Sequence, residues 1–216
     1  QASALRAIAE AQAKASDTKG ALKTAGMILD QDVKASVLNS IAEAQVTAGD
    51  VEGAFQTAAT ITPQNAKVWA LGAIAEAQAR TGDMKGALQT ATTISDQWAK
   101  VFALSAIAET QAKAGDRAGA AGTFRLAVQS AATIPDAEQQ DWALGAIAEA
   151  QTRTGAMKGA LQTATTISDQ WRKVFALAAI AEAQAKAEDV KGVLEWALKL
   201  PTPQAKALVL LGAANG

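Results

Sequence analysis

The sequence predicts an all-α fold, a solenoid of six tandem helix-turn-helix repeats followed by a C-terminal half repeat. Two observations lead to this prediction. A pentapeptide recurs six times at a nearly constant spacing, and apolar residues within each repeat recur at steps of three and four residues. Because a single helical hairpin leaves an apolar stripe that only its neighbours can cover, stacked hairpins are the expected arrangement.

The pentapeptide Ile-Ala-Glu-Ala-Gln marks the first helix of every repeat. Successive copies are separated by 33, 33, 33, 40 and 33 residues, and the fourth copy has Thr110 in place of the second alanine. The copies begin at Ile8, Ile41, Ile74, Ile107, Ile147 and Ile180. We place the repeats at 1–33, 34–66, 67–99, 100–139, 140–172 and 173–205, with a partial helix at 206–216, and treat residues 1–216 as a single repeat domain.

The third repeat shows how the residues specify two antiparallel helices. One face of its first helix is formed by Leu71, Ile74, Ala75 and Gln78. Gly82 follows as a left-handed stop, and Asp83 is the expected N-cap of the second helix. The apolar stripe of the second helix consists of Ala87, Leu88, Ala91 and Ile94. The pairs Thr62-Pro63 and Thr202-Pro203 predict the start of a first helix, because threonine can cap it and proline suits its first position.

Repeats four to six depart from this pattern. Repeat four has seven extra residues, about two helical turns, so we expect its second helix to extend further than the others. In repeat five Ala156 replaces the capping aspartate, and in repeat six Glu188 replaces the glycine. We expect looser turns at both places.

A long segment of the chain is nearly duplicated. Residues 69–114 reappear at 142–187, displaced by 73 residues, which is one 33-residue repeat plus one 40-residue repeat. Copying of this kind preserves a modular surface more readily than a single asymmetric active site. The duplication therefore favours a binding surface over a catalytic centre.

Composition excludes several classes of function. The chain has no histidine and no cysteine, which removes the commonest general base, the commonest metal ligand and the best thiol nucleophile. The pentapeptide glutamates repeat without the distinctive pair that a glycosidase needs. We therefore expect no enzyme activity, no catalytic residue, no metal and no cofactor.

Charge and hydropathy narrow the choice of partner. Twenty Lys and Arg against 21 Asp and Glu give a net charge of −1, with no basic excess for binding nucleic acid. No apolar run approaches the roughly 20 residues that a membrane span requires. The sequence does not indicate a cellular compartment.

The repeats resemble tetratricopeptide repeats. In repeat four the family pattern is matched by Gly115-Asp116 at the turn, followed by Ala120, Phe124 and Ala127 in the second helix. The third repeat keeps the small residue, the turn and the first alanine but has Ala91 in place of the aromatic residue and Gln78 in place of tyrosine. The resemblance covers nearly the whole chain. It implies a right-handed superhelix whose concave groove, lined by the first helices, holds a peptide or partner protein.

Mapped onto this chain, the groove positions of the family give columns of equivalent residues on the first helices. The aromatic column is Trp69, Phe102, Trp142 and Phe175. The acidic column includes Glu76, Glu109, Glu149 and Glu182, and four residues after these lie Arg80, Lys113, Arg153 and Lys186. We take these twelve residues as the candidate partner-binding residues. Two alternatives stay open, namely that the aromatic residues pack between repeats and that the charged pairs form a solvated helix face.

Other recurrent residues have structural interpretations. The last residue of each pentapeptide is a glutamine on the apolar face, and a buried amide must be hydrogen-bonded, so we expect a ladder of hydrogen bonds. Trp98 and Trp171 follow Ser-Asp-Gln at repeat junctions, where we expect them to wedge between repeats. Trp196 stands in the place of Thr90 and is expected to seal the end of the array.

The sequence therefore favours a protein-interaction scaffold that binds a peptide or partner helix. Two alternatives remain: a solenoid that encloses a small molecule or lipid, and a self-assembling segment of a larger scaffold. Because the ends of a solenoid expose apolar surface unless they are capped, association of copies through these ends is a further expectation.

Overall fold

The structure, a computed structural model, describes residues 2–62 and 64–214, and these residues form thirteen α-helices and no strand. The predicted all-α class is confirmed. Pro63, expected at the first position of a helix, and the last two residues of the predicted half repeat lie outside the described residues.

The chain divides into two compact units, Gln1–Ala103 and Leu104–Gly216, and the division falls within helix α7 (Gln97–Lys113). The helices before α7 are α1 (Ala2–Lys14), α2 (Thr18–Gly26), α3 (Gln31–Thr47), α4 (Val51–Ala59), α5 (Gln64–Arg80) and α6 (Met84–Thr93). Those after it are α8 (Arg117–Ala131), α9 (Ala137–Arg153), α10 (Met157–Thr166), α11 (Gln170–Lys186), α12 (Val190–Ala197) and α13 (Pro203–Ala214).

Within the first unit, consecutive helical hairpins pack side by side. The first helices α1, α3 and α5 contact one another in order, and each second helix packs against its own first helix. The second helices α2 and α4 also pack against the next first helix. The isoleucine that opens the pentapeptide is fully buried in α3 and α5, whereas Ile8 of α1 is 50% exposed.

The second unit uses the same packing. Helix α9 packs against α8, α10 and α11, and α11 packs against α10, α12 and α13. The core between α9 and α13 is made mainly of small residues, and its larger members include Leu177, Ile180, Val193 and Val209. Helix α13 begins at Pro203, and the Thr202 hydroxyl accepts a hydrogen bond from the Ala205 N–H, so the predicted Thr-Pro start is confirmed here.

The predicted caps of the second helices are present. Gly82 has φ +94°, the left-handed conformation expected of a helix stop, and the Asp83 carboxylate accepts a hydrogen bond from the Gly86 N–H at 2.9 Å. The same carboxylate cap occurs at Asp17, Asp50, Asp116 and Asp189. Helix α8 has 15 residues, against eight to ten in the other second helices, which confirms the predicted extension in repeat four.

The expectation of looser turns in repeats five and six is wrong. The Ala156 N–H donates to the Gln151 carbonyl at 2.8 Å and the Asp189 N–H to the Gln184 carbonyl at 2.9 Å, as in the other turns. Glu188 adopts the left-handed conformation itself, with φ +64°. The backbone hydrogen bonds of the turn therefore hold the same geometry without the preferred residues.

Replacing Glu188 with glycine is expected to stabilise the chain by about 1 kcal/mol, because glycine adopts a positive φ without the steric cost of a Cβ atom. Urea unfolding followed by circular dichroism measures this change. Ala187→Gly is the control, because Ala187 has φ −87° and glycine there relieves no strain. Equal stability changes in the two variants would contradict the prediction.

Candidate partner-binding surface

The aromatic column is exposed on the first helices of both units. Trp69, Phe102, Trp142 and Phe175 have between 38% and 63% of their surface accessible. In the first unit Trp69 and Phe102 lie with ring centroids 5.9 Å apart, and Trp98 adds a third ring at 5.2 Å from Phe102. Tilted ring pairs at these separations are favourable, so the three rings form a continuous aromatic patch.

The second unit arranges the equivalent residues differently. The guanidinium carbon of Arg172 lies 3.9 Å from the centroid of the Trp142 ring, which is the geometry of a cation–π contact. Arg172 also forms an ion pair with Glu138 at 3.0 Å. Phe175 contacts Trp171, with centroids 6.4 Å apart. In this unit, therefore, the Trp142 ring is covered by the Arg172 cation, and Trp171 and Phe175 form a separate aromatic pair.

A single substitution between the two duplicated segments accounts for the cation. The segments 69–114 and 142–187 differ at five positions, and at one of them Ala99 of the first copy corresponds to Arg172 of the second. Ala99 is buried, whereas Arg172 reaches the Trp142 ring. The two copies therefore present aromatic surfaces of different charge, which the near-identity of their sequences conceals.

The prediction that Trp171 wedges between repeats is wrong, because its side chain is 67% exposed. Trp98 is half-buried and packs against Phe102 of its own helix. At a junction between repeats, a tryptophan side chain can lie along the surface of its own helix instead of entering the core of the neighbouring repeat. Both tryptophans thus add to the aromatic patches, which the sequence alone did not indicate.

The charged columns are partly joined across neighbouring first helices. Arg153 pairs with Glu109 at 2.5 Å and with Glu149 at 2.7 Å, so it links α9 to the end of α7 within the second unit. In the first unit Arg80 lies 4.0 Å from Glu43 of the preceding first helix. Lys186 pairs with Glu182 on its own helix at 2.5 Å. Glu76 is half-buried on α5, and Lys113 is exposed at the end of α7.

The electrostatic environment shifts two of these groups. Burial raises the pKa of the Glu43 carboxyl, Arg80 partly opposes the shift, and Glu76 adds to it. Because the folded state then holds the proton more tightly than the unfolded chain, Glu43 contributes less stability as the pH rises above its usual titration range. The hydrogen bond from Arg153 to Glu109 raises the pKa of Arg153, which stays charged.

The glutamine column forms the predicted ladder of buried hydrogen bonds. In each of four hairpins the glutamine Oε1 accepts from a threonine hydroxyl twelve residues later at 2.6–2.7 Å. The Nε2 of the same glutamine donates to the capping aspartate at 3.1–3.5 Å. These pairs are Gln12–Thr24, Gln45–Thr57, Gln78–Thr90 and Gln111–Thr123. Each amide thus ties the end of a first helix to the start and middle of its second helix.

The last two hairpins change the ladder in different ways. In the sixth, the indole N–H of Trp196 donates to Gln184 Oε1 at 2.9 Å and so replaces the threonine hydroxyl. In the fifth, Ala156 leaves α10 without a side-chain cap, and Gln151 Oε1 is buried without a hydrogen-bond partner. The fixed offsets between glutamine, aspartate, glycine and threonine are a sequence signal that could have revealed the whole network.

Asp141 is a structural residue that the sequence analysis missed. It is buried next to Trp142, and its two carboxylate oxygens accept from the Ser168 N–H at 2.8 Å and the Asp169 N–H at 2.7 Å. These bonds hold the start of α11, which carries Arg172 and Phe175. The sequence signal for this role was the charged Asp141 directly before Trp142, a member of the aromatic column.

Comparison with known proteins gives one match among solved structures. No protein-family model matches the chain, and no curated protein sequence matches it. The crystal structure of Ton1535 from Thermococcus onnurineus NA1 is similar with a TM-score of 0.46 and 16% sequence identity, over 95% of this chain and 69% of that one.

Within the part of the chain that the structure describes, neither a metal-binding set of side chains nor a membrane-spanning helix is found. Among residues 2–62 and 64–214, no set of three or more carboxylates is arranged to hold a metal ion. Over the same part of the chain, every helix is too short or too polar to cross a lipid bilayer.

Proposed function

We propose that the chain is a tetratricopeptide-like interaction scaffold that holds a peptide or partner helix on the surface of its first helices, without catalysing a reaction. The observation that supports this most directly is the exposure of all four column aromatics. Aromatic side chains at the centre of a binding surface supply a large share of binding energy, and solvent-exposed clusters of them are unusual on surfaces without a partner.

The charged columns suit a partner with both apolar and charged side chains. Arg172, paired with Glu138, places a cation and a carboxylate beside the exposed Trp142 ring. Arg153 pairs with two glutamates further along α9. A polar rim around an aromatic centre is the usual anatomy of a protein interface. A lipid would meet carboxylates along this surface, which disfavours the lipid-binding alternative.

The double variant Trp142→Ala and Phe175→Ala is expected to weaken peptide binding at least about tenfold, because truncation of central aromatic residues typically costs more than 1 kcal/mol each. Peptides selected from a random display library on the unmodified chain are the probes, and fluorescence anisotropy measures their affinity. Unfolding free energy should change by less than about 1 kcal/mol per residue, since both side chains are more than half exposed.

Leu211→Ala is the matched control for this experiment. Leu211 is 59% exposed on α13, outside the aromatic column, and its truncation should leave peptide affinity unchanged. If the double variant loses stability while its affinity for the selected peptides stays the same, the aromatic residues serve packing and the proposed surface is wrong.

A further inference from the structure

A pocket opens between the second helices α8 and α10 of the second unit, away from the aromatic column. Its volume is about 610 Å³, within the usual range for small-molecule sites. Ala121 and Val128 of the long helix α8 supply apolar lining on one side. Gln151, at the end of α9, and the first turn of α10 line the other side.

This pocket includes the one capping position, among the six second helices, where the carboxylate is missing. In each of the other five hairpins an aspartate carboxylate accepts one hydrogen bond from a glycine N–H and one from the Nε2 of the glutamine. In the fifth hairpin the equivalent residues are Ala156, Gly159 and Gln151. The alanine methyl group cannot accept either bond, so two donors face the space that the carboxylate occupies elsewhere.

Without an aspartate at position 156, the amide of Gln151 has no carboxylate to which it can donate. Gln151 is only 6% exposed and lines the pocket, and its Nε2 lies beside Gly159, 2.8 Å from the position that a Cβ atom there would take. No side chain caps α10, whose positive dipole end lies at the pocket. In the other five hairpins the glutamine Nε2 donates to the capping carboxylate, so a ligand that accepts from Gln151 Nε2 restores the bond that Ala156 removes.

Charge favours an anionic ligand. Lys158 and Arg125 line the pocket, and none of the residues that line it in the described structure is acidic. A helix N-terminus next to two cationic side chains attracts a carboxylate. The exposed Ala121 and the half-buried Val128 on α8 offer apolar surface for a hydrocarbon chain or ring attached to that carboxylate.

We propose that this pocket binds a small organic carboxylate, whose carboxylate group takes the place of the missing aspartate side chain at the start of α10 and whose apolar body lies against α8. The ligand accepts hydrogen bonds from the Gly159 N–H and the Gln151 amide and neutralises Lys158. This site is separate from the proposed peptide-binding surface, so its test is independent of that proposal.

The experiment titrates the full chain with acetate, hexanoate and hydrocinnamate by isothermal titration calorimetry, with hexanamide as the uncharged match of hexanoate. We expect affinity to increase from acetate to hexanoate and hydrocinnamate, because the apolar body contributes burial. Hexanamide should bind at least about tenfold more weakly, since it lacks the charge-assisted hydrogen bonds.

The decisive variant is Ala156→Asp, which supplies the carboxylate from the chain itself. It should weaken binding of hexanoate at least about tenfold while raising the thermal stability, because an aspartate N-cap stabilises a helix. A loss of binding with a gain in stability cannot be explained by unfolding. Lys158→Gln should weaken binding several-fold and leave the stability unchanged.

Three results would overturn the proposal. If none of the three carboxylates binds at about 10 mM, the proposed site is wrong. That concentration is well above the dissociation constant that ligands of this size reach in a formed pocket. Equal binding of hexanoate to the Ala156→Asp variant places the carboxylate elsewhere. Equal binding of hexanamide shows that the charge is not recognised.

Discussion

Replacing Gln78 with leucine is expected to lower the unfolding free energy by about 2 kcal/mol. Gln78 Oε1 accepts from the Thr90 hydroxyl at 2.6 Å, and its Nε2 donates to Asp83 at 3.1 Å. Leucine has a similar volume but leaves the hydroxyl of Thr90, which is 3% exposed, without its partner. Urea unfolding monitored by circular dichroism measures the loss.

Gln151→Leu is the matched control that the duplicated segment provides. Gln151 is the equivalent residue of the second copy, but its Oε1 is already unpaired and Asp83 is replaced there by Ala156. The expected loss is below about 1 kcal/mol, because no buried partner is abandoned and an unsatisfied polar atom is removed. Equal losses in the two variants would show that burial of the side chain, and not the hydrogen-bond network, sets the cost.

Gly212→Ala is expected to cost about 2–3 kcal/mol, the range for forcing an extra methyl group into a closely packed contact. A Cβ atom at Gly212 would stand 2.6 Å from the backbone carbonyl oxygen of Ala178, so α13 and α11 approach too closely for any side chain there. Because the obstacle is backbone, one of the two helices must move. Amide hydrogen exchange should show faster exchange throughout α13, with α9 and α10 unaffected.

The control for this substitution is Gly145→Ala in the interior of α9. A Cβ atom at Gly145 meets no other atom within 4 Å, so alanine there should stabilise the chain by up to about 1 kcal/mol through its higher helix propensity. Opposite signs for the two glycine variants are therefore expected. A neutral or stabilising effect of Gly212→Ala would mean that α13 does not pack against α11 in solution as closely as described.

Local features of the fold were predictable because they depend on residues close in sequence. Asp83 caps α6 and Gly82 adopts the left-handed conformation because each acts on backbone groups within a few residues of itself. The burial and hydrogen bonding of Gln78 followed from its place on the apolar face of α5. The greater length of α8 followed from the insertion in repeat four.

Contacts between helices were less predictable. The sequence showed that Trp142 and Phe175 occupy a repeated column, but their exposure and the position of Arg172 over the Trp142 ring depend on the distance between α9 and α11. Trp171 was expected to be packed between repeats, and it is exposed. A side chain without a fixed neighbour in sequence can adopt several rotamers, and packing selects among them.

The sequence of this chain was sufficient to determine its helices, their caps and the residues that recur on each face, because all three follow from short-range periodicity and backbone hydrogen bonding. Tertiary structure alone decided that Arg153 pairs with glutamates on two different helices. It also decided that Ala156, which stands where the other hairpins have an aspartate, lines a pocket beside α8. Such features depend on the spacing between helices far apart in the chain, which is set by the packing of many side chains together.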